Sequence, residues 1–380
     1  MMHFDLALIG FGAATMSLAT RLAPDYAGRI AIIEPRTLPV DDRTWCGWRL
    51  SDHPFTDVAT QTWTTWAVSH GAREIIRGSH AIPYEMLRAS SVQRRALDAV
   101  ASRPDWRFFG DRSLRTASHH PPHWQLILSD GESLTADHVM DSRPPALTLR
   151  RPWLWQSFVG RELVGPELAG DSPVRLMDFL SDDSPLLSFL YELPIAPGHR
   201  LIELTRFAPE QPPLDELAKQ LDRQLAARGL TACRVVREES GHLPMAPIAP
   251  SDQTAWMRVG TAGGSMRPAT GYAFHEIQRW ATRCADRLMA DKKPCAPARK
   301  RYMDWLDGVF LEHLWRQRRT DSTALPFIQL FEHAPAEAMA RFLMSRPHLK
   351  DFVHILGALP PYPMLKAALR HAGMMRRDSE

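Results

Sequence analysis

The chain has 380 residues, enough for one large or two medium domains with a substantial core. Hydrophobic residues make up 44% and charged residues 23%, the balance of a soluble globular protein. A formal net charge of +3 over this length argues against a nucleic-acid partner and against a strongly charged surface of either sign.

Asp5 interrupts the opening apolar run and no basic stretch precedes it, so a signal peptide is not expected. No later run reaches 18 consecutive apolar residues, so no segment is expected to cross a bilayer. Cys46, Cys233, Cys284 and Cys295 form no CxxC pair and read as reduced thiols of a cytosolic protein. The histidines show no metal-ligand spacing, no metal is expected, and "SHH" at 118–120 reads as a loop. Twelve tryptophans suit a broad aromatic pocket, or equally a large core.

In chain order, Phe4 to Ile9 is a short buried strand, "GFGAAT" at 10–15 a turn, and the run through Leu18 and Leu22 a helix. A second strand, "RIAIIE", ends at Glu34. Gly10 permits the tight turn, Gly12 lets backbone N–H groups approach a pyrophosphate, and Glu34 can accept from a ribose hydroxyl. Thr15 stands where the third glycine of the fingerprint belongs, a position that serves helix–strand packing. The unit predicts a dinucleotide site. Its place at the start of the chain favours FAD over NAD, although its residues alone fit both.

"DDRTWCGW" at 41–48 reads as a rigid surface loop. Residues 60–135 carry helix-like and strand-like runs whose order the pattern does not fix. "HVMDSRPP" is a strand ending at Asp141, where ligands collect in α/β sheets. From about 150 to 245 the pattern is β-rich. "SFLYEL" and "RLIELTRF" form an antiparallel hairpin in which Leu201, Glu203, Thr205 and Phe207 share one face and Ile202 and Leu204 the other. Neither face is polar, which predicts a sheet covered on both sides. Glu203 then either meets water or an arginine, Arg200 or Arg206, or stands in an apolar pocket as a neutral acid.

"VGTAGGSMRPATGYAF" at 259–274 is a second glycine-rich stretch leading into a helix. It fits an anion or flavin-edge site, or an ordinary loop. Residues 298–380 read as helical. Tyr302, Trp305, Leu306, Val309 and Phe310 make an apolar stripe bracketed by Arg299, Lys300, Arg301, Arg316, Arg318 and Arg319. A core-facing helix and a membrane-surface helix both fit, the former better. The tail "MMRRDSE" is expected to fray.

Several of these stretches together resemble the bacterial flavin-dependent lycopene β-cyclases of carotenoid synthesis. They are "LIGFGAATMSLATRL", "IIEPRTLPVDDRTWCGW", "VMDSRPP", "LWQSFVGREL", "FLYELPIAPGHRLIELTRF", "ESGHLPMAP", "VGTAGGSMRPATGYAFHEIQ" and "LPPYPMLKAAL", in order along nearly the whole chain. The resemblance implies a doubly wound α/β FAD-binding domain of the flavin-hydroxylase (GR2) type, a β-sheet substrate domain and a helical C-terminal region. The corresponding segments are 1–150, 151–245, a return to the FAD domain over 246–297, and 298–380. It implies FAD, active in its reduced form, with NAD(P)H as reductant, and lycopene or a related linear carotenoid as substrate. It also implies a cytoplasmic protein lying on the inner face of the membrane, near other carotenoid enzymes.

By the same resemblance Glu203 is the essential acid. Gly263, Gly264, Pro268, Thr270 and Gly271 are flavin contacts, Asp141 and Arg43 lie near the cofactor, and Trp45, Thr205 and Phe207 belong to the substrate pocket. Ser157 stands where relatives often carry His, and "ATGY" replaces a commoner "STGY". The rival readings are a flavin monooxygenase or halogenase, a cyclase acting on another polyene or isoprenoid, and a non-enzymatic isoprenoid or flavin carrier. Neither a Trp-x-Trp-x-Ile-Pro stretch nor an Asp-Gly signature supports the monooxygenase or halogenase, since Ser142 and Arg143 follow Asp141.

Overall fold

The computed structural model describes residues 1–180, 187–249, 255–317 and 321–377. The chain begins with β1 (Met2–Ile9), α1 (Ala13–Leu22) and β2 (Ile30–Glu34), the expected strand–turn–helix–strand unit. The stretch without a legible order holds β3 (Thr44–Trp48), β4 (Gln61–Trp63), β5 (Thr65–His70), β6 (Arg73–Gly78), β7 (Tyr84–Arg88) and α2 (Ala89–Ala101). It ends with β8 (Arg107–Gly110), β9 (Leu114–His120), β10 (His123–Leu128) and β11 (Ser133–Asp141). The β-rich part supplies β12 (Leu154–Val164), β13 (Val174–Phe179), β14 (Leu187–Ala196) and β15 (His199–Ala208), then α3 (Leu214–Ala227) and β16 (Arg234–Met245). After β17 (Trp256–Arg258) and α4 (Phe274–Met289), the C-terminal part is α5 (Arg301–Gln317), α6 (Leu325–His333), α7 (Ala336–Leu343), α8 (Leu349–Ala358) and α9 (Pro361–Arg377).

The first sheet runs β8-β2-β1-β11-β10-β9, and β17 joins the C-terminal end of β11. β8, β2, β1, β11 and β17 are mutually parallel. Parallel strands are covered on both faces, which explains the unbroken aliphatic runs of β1 and β2. Leu6, Leu8, Ile30 and Ile32 pack against α1, α2 and α4, while Ala7, Ile9 and Ile33 face Phe109, Leu126 and Val139.

The second sheet runs β16-β12-β15-β14-β13-β5-β6. Its hairpin β14–β15 keeps the expected alternation. Leu201 and Phe207 enter a core shared with the C-terminal helices, through Phe327, Phe331 and Met339. Ile202 and Leu204 face Leu217 and Leu221 of α3. Each such leucine contributes roughly 1.5–3 kcal/mol when fully buried. A small antiparallel sheet, β3-β7-β4, packs Trp48, Tyr84 and Met86 into the core of the second sheet and Leu87 into that of the first.

Several sequence expectations need correction. Residues 44–48 are a strand and not a surface loop, and Trp48 within it is fully buried. "SHH" closes β9, an exposed edge strand. The stripe on α5 divides: Val309 is buried, whereas Tyr302 and Trp305 are exposed. Arg318 and Arg319 lie outside the described residues. The helix α9 continues through Arg377, so most of the tail is ordered helix and only its last three residues fall outside the described ones.

Candidate active site

The geometry at the first turn suits a pyrophosphate. Gly10 has φ +81°, and a Cβ there would lie 2.6 Å from Ser142 Oγ. Gly12 is the N-cap of α1, and no side chain bonds the first-turn N–H groups, which leaves donors for an anion. Thr15 takes over the third glycine position by donating its Oγ1 to the Gly10 carbonyl at 2.7 Å, which fastens the turn from inside. The Glu34 carboxylate stands at the end of β2. Its Oε2 accepts the Phe11 N–H at 2.7 Å and its Oε1 accepts Arg36 Nε at 2.8 Å and Arg36 N at 3.1 Å. One lone-pair site on Oε2 remains for a ribose hydroxyl. An uncapped helix end beside a buried acid is a donor set into which a dinucleotide such as FAD fits.

Of the other residues expected at the cofactor, Asp141 stands in register with Ile9, beside the Gly10 turn, whereas the rest lie elsewhere. The Asp141 carboxylate is taken up by Arg143, from N at 3.0 Å, Nε at 2.9 Å and Nη2 at 2.8 Å. Gly263 and Gly264 press against backbone, since a Cβ would lie 2.3 Å from the Arg258 carbonyl and 2.4 Å from that of Ile248. Gly264 and Pro268 border a small separate hollow beside Arg299 and Lys300.

Arg43, Trp45, Glu203, Thr205, Phe207, Thr270 and Gly271 come together instead around one cavity of about 1060 Å³. The second sheet forms its floor. The C-terminal helices form its opposite wall, with Phe310, Phe327, Phe331 and Phe352. Trp45 stacks on Phe274 at 5.5 Å between ring centroids, and Phe207 meets Phe189 edge-on at 5.5 Å. Arg267 fixes the loop bearing Thr270 and Gly271 by a buried ion pair with Asp307 at 2.8 Å. Arg43, half exposed, pairs with Asp42 at 2.6 Å.

The acid lies in a row that crosses four strands. Gly160 on β12 pairs with Glu203 on β15 and with Glu239 on β16, and Glu203 pairs with Tyr191 on β14. Directly opposed residues share a face, and Tyr191, Glu203 and Glu239 all line the cavity. Gly160 has no side chain to separate the two acids; a Cβ there would lie 3.3 Å from Glu239 Cγ and 3.4 Å from Glu203 Cβ.

The two acids have different partners. Glu239 Oε2 accepts Arg237 Nη1 at 2.7 Å and Thr44 Oγ1 at 2.9 Å. Arg237 also reaches Glu162 at 2.8 Å, and Glu162 in turn is held by Arg88 and by His199 at 2.5 Å. Among the described residues Glu203 accepts a single hydrogen bond, from Thr205 Oγ1 at 2.8 Å. Burial, and then the charge of Glu239 across the glycine, push Glu203 up to about 8, against weaker pulls from Thr205 and Arg237. Neither Arg200 nor Arg206 neutralises it: Arg206 pairs with Glu216 at 2.8 Å, and Arg200 with Glu192. At neutral pH Glu203 is therefore a neutral carboxylic acid facing an aromatic chamber, an arrangement able to hand a proton to an apolar substrate.

Sequence reasoning missed Glu239 and a tyrosine cluster. Tyr84 Oη lies 2.9 Å from Tyr191 Oη and 3.2 Å from Tyr272 Oη, and burial raises all three phenols, so they stay protonated. It also missed His53, Glu85 and His275. Both imidazoles donate from Nε2 to Glu85 Oε1, at 2.7 and 2.8 Å. Burial pushes Glu85 upward, but these two bonds hold it at about 2. The trio fastens α4 to β7 and so fixes Phe274 beneath Trp45. Nothing in the stretch "ESGH" marked Glu239 as the residue that opposes Glu203 across the sheet.

Known proteins place this architecture. The halogenase PltM, solved in complex with phloroglucinol and FAD, shares the fold with a TM-score of 0.61 at 11% identity, covering 97% of this chain and 85% of that one. A lycopene beta-cyclase from Pantoea ananas is 28% identical over 393 residues, spanning 96% of this chain and 97% of the relative. Another from Pseudescherichia vulneris is 25% identical over 390 residues, spanning 97% of each. The family described as lycopene cyclase protein matches residues 5–369. That match runs through both sheets and the helical wall of the cavity, and the chain belongs to the lycopene cyclase family.

Proposed function

We propose that the protein is a lycopene β-cyclase that closes β-ionone rings on the ends of a linear carotenoid without net oxidation. The observation that carries this reading is Glu203, a buried, protonated carboxyl in an aromatic cavity, set opposite an ion-paired Glu239. Glu203 gives its proton to the terminal alkene: the O–H bond breaks and a C–H bond forms, leaving a tertiary cation. The neighbouring double bond attacks the cation and closes the ring. A proton then leaves the ring carbon, and the vacated Glu203 carboxylate is placed to take it, so that protons and electrons balance. Aromatic faces such as Phe207 and Phe189 contribute about 0.5–2 kcal/mol each to the cation. Arg237 keeps Glu239 engaged, so the second acid acts as a fixed negative charge that maintains the proton on Glu203.

FAD is the cofactor of this proposal, reduced by NAD(P)H, and when bound in its reduced form it supplies an electron-rich group that stabilises positive charge in the substrate. Gly10, Gly12 and Glu34 would hold its nucleotide end. Arg43, Thr270 and Gly271, which line the cavity, would face its ring end. The substrate resides in a bilayer, so the protein works as a peripheral enzyme at the cytoplasmic face of the membrane. The test is anaerobic: chemically reduced protein under nitrogen, given lycopene in liposomes, should form cyclised product. Product formation that strictly requires dioxygen would replace this reading with a monooxygenase.

A further inference from the structure

We propose that the outer faces of α8 and α9 are the surface on which the protein docks to an anionic lipid bilayer, and that the substrate cavity communicates with the bilayer between these helices. The proposal rests on the cyclase reading for what passes through, but not for the docking itself.

On α8, Leu349, Val353 and Leu356 recur at i, i+4 and i+7 and are 87%, 72% and 60% exposed. On α9, Tyr362, Leu365 and Leu369 recur at i, i+3 and i+7 and are 72%, 62% and 69% exposed. The stripes are not loose ends. The opposite faces are anchored, by buried Ile355 and Ala358 on α8 and by Ala367 and His371 on α9. His371 sits against Gly308 of α5. These two helices follow one another in the chain, α8 packed on α6 and α7 and α9 on α5, and each turns leucine-sized groups outward as apolar surface that water does not favour.

Charge indicates what covers the patch. Arg346, Lys350 and Lys366 are exposed around it. The one acid in the sequence from 346 to 377 is Asp351, which is buried and paired with Arg341 at 2.8 Å. Cations ringing an apolar stripe complement anionic headgroups over acyl chains. In a twofold contact with a second copy the same cations would meet one another. Exposed Trp305 borders α9, with its ring 6.4 Å from that of His371, an amphipathic aromatic suited to the headgroup level.

Continuity with the cavity gives the surface its use. Phe352, Ile355, Leu356, Leu359 and Met364 line the same cavity as Glu203. Leu356 is 60% exposed on the outer stripe and also lines the cavity, so it marks where the proposed passage from lipid to the acid opens. The membrane-surface reading of α5, the weaker of its two, gains little, because Phe310 points inward against Phe327 at 5.2 Å.

The experiment is flotation of the full-length protein with vesicles of phosphatidylglycerol and phosphatidylethanolamine. The comparison is with a variant carrying Leu349→Ser, Val353→Ser and Leu365→Ser, none of which lines the cavity. Wild type should float. The variant's floated fraction should fall about tenfold or more, with its thermal transition unchanged. Turnover of detergent-dispersed lycopene should survive in the variant, while turnover from vesicles falls. Equal flotation of the two proteins, or no flotation of wild type, overturns the proposal. So does a wild-type dimer that the substitutions convert to monomer. A flotation difference in a protein that never turns over lycopene would leave the docking surface standing and remove the substrate reading.

Discussion

On one side of Gly160 a carboxylate is surrounded by donors; on the other a carboxyl has one. Glu239 is tied to Arg237 and Thr44, at the end of a charged chain running back through Glu162 to Arg88. Glu203, paired across the same glycine, has the Thr205 hydroxyl and shares its cavity with aromatic side chains such as Tyr191, Phe189 and Phe207. The same functional group in the same row thus serves two purposes, as a fixed charge on one side and a proton source on the other. Environment and not residue type makes the distinction.

The largest expected effect comes from erasing the proton source. Glu203→Gln keeps the shape and removes the acid. Ring closure should fall by about a thousandfold or more while flavin absorbance of the purified protein is retained. The same variant carries a stability signature. With Glu203 raised from 4.5 to about 8, the folded protein holds a proton that the unfolded chain releases anywhere between those values. Its contribution to stability is full below 4.5, falls as pH rises, and is lost above about 8. Glu203→Gln should flatten this slope in denaturant titrations taken across that window.

Next in size is the fixed charge. Glu239→Gln removes the negative neighbour and lets Glu203 ionise more easily. Activity, which in wild type should decline as pH rises through about 8, should decline about one pH unit lower in the variant. A pH–rate profile of the two proteins decides this, and an unmoved limb would show that burial alone sets the acid.

The legible part of the molecule was the part written locally. Gly10, Gly12 and Glu34 lie within one strand–turn–helix–strand unit, so spacing in sequence is spacing in space. Alternation along β15 likewise identified which residues share a face with Glu203, because the pleat has period two. Glu239 was not legible, since its approach to Glu203 depends on the register of β12 between β15 and β16. Asp41, Asp42 and Arg43 disguised the strand Thr44–Trp48 as a loop. α3 was overlooked inside a β-rich stretch, although Leu217, Leu221 and Leu225 recur at helical spacing. On α8 and α9 an apolar stripe reads the same whether it faces a core or a membrane, so only exposure separates the two.

Two smaller changes sharpen the comparison. Gly160→Ala would wedge a methyl group between the acids, with contacts of 3.3 and 3.4 Å. It should cost about 1 kcal/mol in urea unfolding, along with some activity. Thr205→Val removes the one hydrogen bond that favours ionised Glu203. The falling limb should then move upward by a few tenths of a pH unit, roughly, opposite in sign to Glu239→Gln.

The most direct test is infrared difference spectroscopy of the carboxyl region, wild type against Glu203→Gln, as pH is raised. The account predicts a protonated carboxyl band at neutral pH that is absent from the variant and fades as pH passes about 8. A Glu203 already present as carboxylate at neutral pH would contradict it.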